Sequence, residues 1–242
     1  MRFLIILLFG ILSAAPIHNA VKSGNLTKVK ELLSKSTINL KDNRGNTPLC
    51  YATYYGYEDI TKFLVDSGAD INTKCWSSNR ALHFAAYTHH FFNVKYLIEH
   101  GANVNLKGWH GNTPLIFAAF ISAQDSVKEL LKSGANINAK GWNGNTALHF
   151  ASFWGYIEIV KILLDSGANV NILNSDGKSA LDLAKQMDRA EIIELFKSNK
   201  SLNTTPNNRC ESEYKSCIEH CKNSNSRSCE FNCNLQLKEC YK

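Results

Sequence analysis

The sequence predicts an all-α repeat solenoid with a small cysteine-stapled helical hairpin behind it, and three observations predict it. Gly45, Gly111, Gly144 and Gly177 stand on one 33-residue ladder, with Ser78 in the missing place. Leu49, Leu82, Leu115, Leu148 and Leu181 keep the same step, as do Ala52, Ala85, Ala118, Ala151 and Ala184. A fixed period of this size means stacked supersecondary units, each burying a face that it cannot bury alone. Within each period, two short helical stretches are punctuated by glycine. Finally, six of the eight cysteines crowd into the last 33 residues.

Each part of the unit has a physical reading. In Gly45-Asn46-Thr47-Pro48-Leu49 the glycine permits a turn, Thr47 caps a helix and Pro48 takes its first position. A helix then runs to about Tyr55, and Gly56 lets the chain reverse. A second helix covers roughly Glu58 to Ser67, with Gly68 as its C-terminal glycine. Ile71-Asn72-Thr73-Lys74 leads out to the next hairpin turn, and the small alanines let paired helices pack closely.

The strings GNTPLCYATYYG, GNTPLIFAAF, GNTALHFASFWG, GANVN and GANINAK resemble ankyrin repeats. The units are 42–74, 75–107, 108–140, 141–173 and a C-terminal cap at 174–198, with a degenerate N-terminal cap at 16–41. The resemblance implies an ankyrin-repeat solenoid over about three quarters of the chain. Ser78, Arg80, His89 and Ser122 depart from the pattern, so the middle of the stack is expected to be less regular.

In proteins of this family the hairpin tips and inner helices carry the partner. The matching positions here are Trp76, Trp109 and Trp142 on the tips, and Lys74, Lys107 and Lys140 at the unit ends. On the inner helices they are Tyr54, Tyr87, Phe120 and Phe153, with Trp154 beside the last. Tryptophan and tyrosine dominate binding hot spots. The competing reading is mutual packing of Trp against Lys stems. Asn46, Asn79, Asn112 and Asn145 form a further row, which with Trp faces would also suit a glycan. Tyr51, Phe84, Phe117 and Phe150 lie next to the core positions and read as core. The resemblance implies that His83 and His149 brace the turns rather than bind metal, and His89-His90 lacks the other ligands of a zinc site.

Met1-Arg2, the apolar run Phe3 to Leu12 and Ser13-Ala14-Ala15 read as a secretory signal over residues 1–15, too short for a membrane span. Residues 199–208 read as a polar linker and 209–242 as the hairpin. There the cysteine gaps are six, three, seven, three and six residues, a palindrome. At about 100° per residue each trio shares one helix face. Two antiparallel helices would then pair Cys210 with Cys240, Cys217 with Cys233 and Cys221 with Cys229. The C-x3-C pairs resemble disulfide-stapled helical hairpins such as the alpha-hairpinins; zinc ligation is the alternative. Cys50 and Cys75 are left over, as a bridge or as packed thiols. Asn25, Asn199 and Asn203 begin glycosylation sequons.

A net charge of +6 with no block of Lys and Arg does not point to nucleic acid. Phosphate loops, nucleophile motifs and clustered catalytic carboxylates are missing from the sequence, so neither an enzyme nor a cofactor is expected. The expectation is an exported, monomeric, non-enzymatic module that binds a protein. The alternative is a secreted effector or venom-type toxin whose stapled hairpin is the active part.

Overall fold

The computed structural model describes residues 15–198. The signal segment except Ala15, the 199–208 linker and the cysteine-rich hairpin with its three pairs lie outside the described residues.

Local chemistry sets the helices. Thr47 and Thr113 each accept the N–H of the third helical residue, from Cys50 and Ile116 respectively, and Pro48 and Pro114 follow at the first helical position. The inner helices are α1 (Pro16–Lys22), α3 (Pro48–Tyr55), α5 (Ala81–Tyr87), α7 (Pro114–Phe120), α9 (Ala147–Trp154) and α11 (Ala180–Gln186). The outer helices are α2 (Leu26–Leu32), α4 (Glu58–Asp66), α6 (Phe91–Glu99), α8 (Gln124–Lys132), α10 (Ile157–Asp165) and α12 (Ala190–Ser198). Each inner helix packs on its own outer partner and on the next inner helix, so the described residues make two parallel rows. No strand occurs among the described residues.

Ala52, Ala85, Ala118, Ala151 and Ala184 are all fully buried, and their missing side-chain bulk lets the inner row close up. Leu64, Leu97, Leu130 and Leu163 fill the gap to the outer row, also fully buried. Phe196 seals the last unit at 0% exposure.

The turns stay more regular than the departures suggest. Ser78, His89 and Ser122 take left-handed φ values of 62°, 66° and 61°, beside 80° at Gly45 and 77° at Gly56. Packing imposes the conformation, and the cost falls on the side chains that lack glycine's freedom. One difference remains: α5 and α7 each stop one residue short of the length reached by α3 and α9, which end on a left-handed glycine.

Two asparagine ladders tie unit to unit. On the outer edge, Asn39, Asn72, Asn105 and Asn138 accept the N–H of Asp70, Asn103, Asn136 and Asn169, at 2.7 to 2.9 Å. On the tip side, Asn46, Asn79 and Asn112 accept the N–H of Trp76, Trp109 and Trp142, each at 2.9 Å. A third set of ties follows the position of Cys50. His83 accepts the Arg80 N–H on Nδ1 (3.1 Å) and donates from Nε2 to the Leu106 carbonyl (2.9 Å). His149 does the same between Thr146 and Lys178. Cys50 occupies the equivalent place, and there the tie to the next unit is covalent. The sulfur atoms of Cys50 and Cys75 are bonded, with their Cα atoms 6.4 Å apart.

Candidate functional site

The site follows from the tip geometry. Each tip opens with a backbone bond from its first residue to its fifth, such as Gly108 N–H to the Asn112 carbonyl at 2.8 Å. Its third residue then turns left-handed: φ is 54° at Ser77 and 53° at His110 and Asn143. With the backbone N–H of the Trp already held by the previous unit's Asn, the indole points outward. Trp76, Trp109 and Trp142 are 58%, 49% and 55% exposed.

The inner helices supply the floor. Tyr54 and Tyr87 are half-exposed, and each meets the edge of a phenylalanine of the following unit: Tyr54 on Phe84 at 5.8 Å, Tyr87 on Phe117 at 5.6 Å. Phe120 lies between Phe150 (5.6 Å) and Trp154 (5.8 Å), both edge-on. Phe153 is half-buried against Trp154, and its carbonyl accepts from Arg189. Trp142 stacks over Phe150 at 6.5 Å.

Two open cavities result. One of about 400 Å³ lies between the first two tips, where Trp76 and Arg44 face Tyr54, Tyr55, Cys50 and Phe84. The other, about 350 Å³, has Trp109 and Trp142 as walls and Tyr87, Phe117, Phe120 and Phe150 below. Each is large enough for one bulky side chain.

Phe84, Phe117 and Phe150 are 6–7% exposed, so they are core residues, yet that remaining edge lines the cavities. His110, which stands outside the sequence ladders, joins the second cavity. Its ring lies 4.4 Å from Trp109 and 6.5 Å from Trp142, closing the gap between them. The only signal in the sequence is its place after a Trp in a turn. Of the asparagine row, Asn46 and Asn112 line the two cavities, but with little exposed surface. Asn46, Asn79, Asn112 and Asn145 are buried and their carbonyl oxygens are spent inside the stack, that of Asn145 on Asn174 at 2.9 Å.

Lys74, Lys107 and Lys140 are exposed along the tips. Lys140 donates to the Leu173 carbonyl at 2.9 Å. The close Lys–ring contacts among the described residues fall on Tyr51, Phe63 and Tyr96, not on a tryptophan. At the first tip, Asp42 accepts from the Tyr51 hydroxyl at 2.6 Å and from the N–H groups of Asn46 and Arg44. Burial works against its charged form, but those three donors outweigh it and hold the carboxyl below the usual range. Burial pushes the His83 imidazole down to about 4 and lowers that of His149, so both brace the stack as neutral rings. Among the described residues no group of three or more His, Cys, Asp or Glu could hold a metal, and no helix is long and apolar enough to cross a membrane.

Family models described as "Ankyrin repeats (3 copies)" match residues 7–75 and 74–141, and "Ankyrin repeat" matches 143–175. Alpha-latrotoxin-Lh1a of Latrodectus hasselti is 35% identical over 60 residues, a quarter of this chain and 4% of the toxin. An ankyrin repeat protein of Rickettsia bellii is 35% identical over 71 residues, 27% of this chain and 10% of that protein. Protein phosphatase 1 regulatory subunit 27 of Homo sapiens is 46% identical over 57 residues, 23% of this chain and 37% of the subunit. The chain thus spans well under two thirds of the length of each of these relatives.

Proposed function

Given that the chain belongs to the ankyrin-repeat family, we propose that it is an exported, non-enzymatic monomer that docks a protein partner on its tips and inner helices. The observation that carries this is the pair of aromatic cavities walled by half-exposed tryptophans at one register. Exposed indoles on a rigid frame give large contact area with little ordering cost. The likeness to a regulatory subunit supports a binding role. Export draws its support from the signal-like first fifteen residues and the crowded cysteines of the last 33. The bonded Cys50–Cys75 pair fits an oxidising compartment. A glycan is the weaker partner, because the amide oxygens that would hold its hydroxyls are occupied. The latrotoxin likeness covers 4% of that toxin and does not extend the toxin reading to this chain.

Changing Trp76, Trp109 and Trp142 together to Ala leaves the helical circular dichroism intact, because their backbone N–H groups, not their indoles, tie the units. Capture of partner from extracellular extract should fall by about 30-fold or more, since hot-spot truncations cost about 2 kcal/mol each. A folded triple variant that captures partner unchanged would remove the docking face.

A further inference from the structure

Charge is sorted by face in this molecule. Every ion pair among the described residues lies on an outer helix: Lys28–Glu31, Lys62–Asp66, Lys95–Glu99, Lys161–Glu158 and Lys197–Glu194. Across residues 75–173 the acidic residues are Glu99, Asp125, Glu129, Glu158 and Asp165, all on α6, α8 and α10. The tip and inner helix of these three units carry no Asp or Glu. Cations stand next to them instead, at the last residue of each preceding unit and two residues before each tryptophan: Lys74 before Trp76, Lys107 before Trp109, Lys140 before Trp142. Lys74 and Lys107 are exposed and enter none of those ion pairs. Arg80, bonded to the Lys107 carbonyl at 2.8 Å, adds a further fixed charge between the second and third tips.

No carboxylate lines this cavity, and the Asp176 carboxylate on the tip beyond Trp142 is engaged by the Asn143 amide at 2.7 Å, so the cavity does not favour a cation beside the flanking ammonium groups. It favours an apolar side chain with negative charge beside it, toward the tips that precede Trp142. We propose that the partner presents an acidic segment that seats one large apolar side chain between Trp109 and Trp142, with its flanking carboxylates toward Lys107 and Lys74. This rests on the docking face argued above and adds the chemistry of what docks. The cavity of about 350 Å³ sets the anchor as a phenylalanine, leucine or tryptophan side chain. The lysines steer encounter and reject basic segments, while the anchor sets the lifetime of the complex.

The test uses the full chain and a fluorescein-labelled peptide, Gly-Glu-Asp-Glu-Phe-Glu-Asp-Glu-Gly, read by fluorescence polarisation. Three comparison probes are the same peptide with every acid changed to Lys, the same peptide with Phe changed to Ala, and a short single-stranded oligonucleotide. The acidic Phe peptide should bind about tenfold or more tighter than each of them, and added salt should weaken it. Lys107→Glu should cost about tenfold with unchanged circular dichroism, and Trp109→Ala with Trp142→Ala should abolish binding. Equal binding by the basic peptide or the oligonucleotide would overturn the proposal, as would an indifferent Lys107→Glu variant. So would no binding by any peptide. In that case the docking face itself still stands if capture of native partner depends on the tryptophans, and falls with it if capture does not.

Discussion

Gly108→Ala should lower the unfolding free energy by about 3 kcal/mol or more, among the largest effects expected of a one-methyl change. The cause is not backbone conformation, since φ at Gly108 is −105°. A Cβ there would drive into Asn79 Oδ1 and sit 2.7 Å from the His83 ring. Both groups are buried and both tie one unit to the next. Displacing them leaves the Trp109 N–H and the Leu106 carbonyl short of partners. Gly68→Ala is the control: φ is 89°, but nothing lies within 4 Å of the new methyl. Its cost should be the left-handed strain alone, about 1–2 kcal/mol. Urea unfolding followed by circular dichroism measures both, and equal costs would show that the close approach at Gly108 is unimportant.

Acid should loosen the stack through His83. Its folded pKa of about 4 lies below the ordinary 6.5, so the folded chain holds a neutral ring where the unfolded chain takes up a proton. Between those two values the unfolded state binds more protons, and stability therefore rises with pH. Lowering the pH from 7 to 4 should remove about 3 kcal/mol on this account. His149 works in the same direction. Asp42 and Asp182, both held below the usual carboxylate value, withdraw their contributions only at still lower pH. Ile116 occupies the position of His83 one unit on, so His83→Ile is a substitution the architecture already uses. Its stability between pH 7 and 4 should be visibly flatter than that of the parent. An unchanged slope would mean that the acid sensitivity arises elsewhere.

The fold was legible because the glycine, leucine and alanine ladders mark the same points in every unit, and helix ends follow from Thr-Pro and Gly. The ties between units were not legible. Asn112 reads in isolation as a polar residue in a turn. Only stacking shows that its oxygen serves Trp142, thirty residues on. The same holds for Cys50 and Cys75. The contact that a Cβ at Gly108 would make with His83 is the one Cys75 makes with Cys50, a register relation that no single repeat displays. Phe117 and Phe150 adjoin the buried Leu and Ala positions in sequence and are core, and the cavity uses the ring edge that burial leaves over. His110 has no periodic counterpart, since Ser77 and Asn143 hold its place in adjacent units, so no ladder marks it.

The Cys50–Cys75 bond also changes what the molecule is under tension. A stack pulled from its two ends peels away unit by unit, each lost turn paying out chain. The 24 residues between the two cysteines, a sequence separation of 25, cannot be paid out while the bond holds. At about 3.4 Å per extended residue, less the 6.4 Å that the bonded pair itself spans, that shortens the fully drawn chain by about 80 Å. The tip carrying Trp76 and the helix carrying Tyr54 stay within reach of each other on the stretched thread, and the first cavity has only to close again when the load is released.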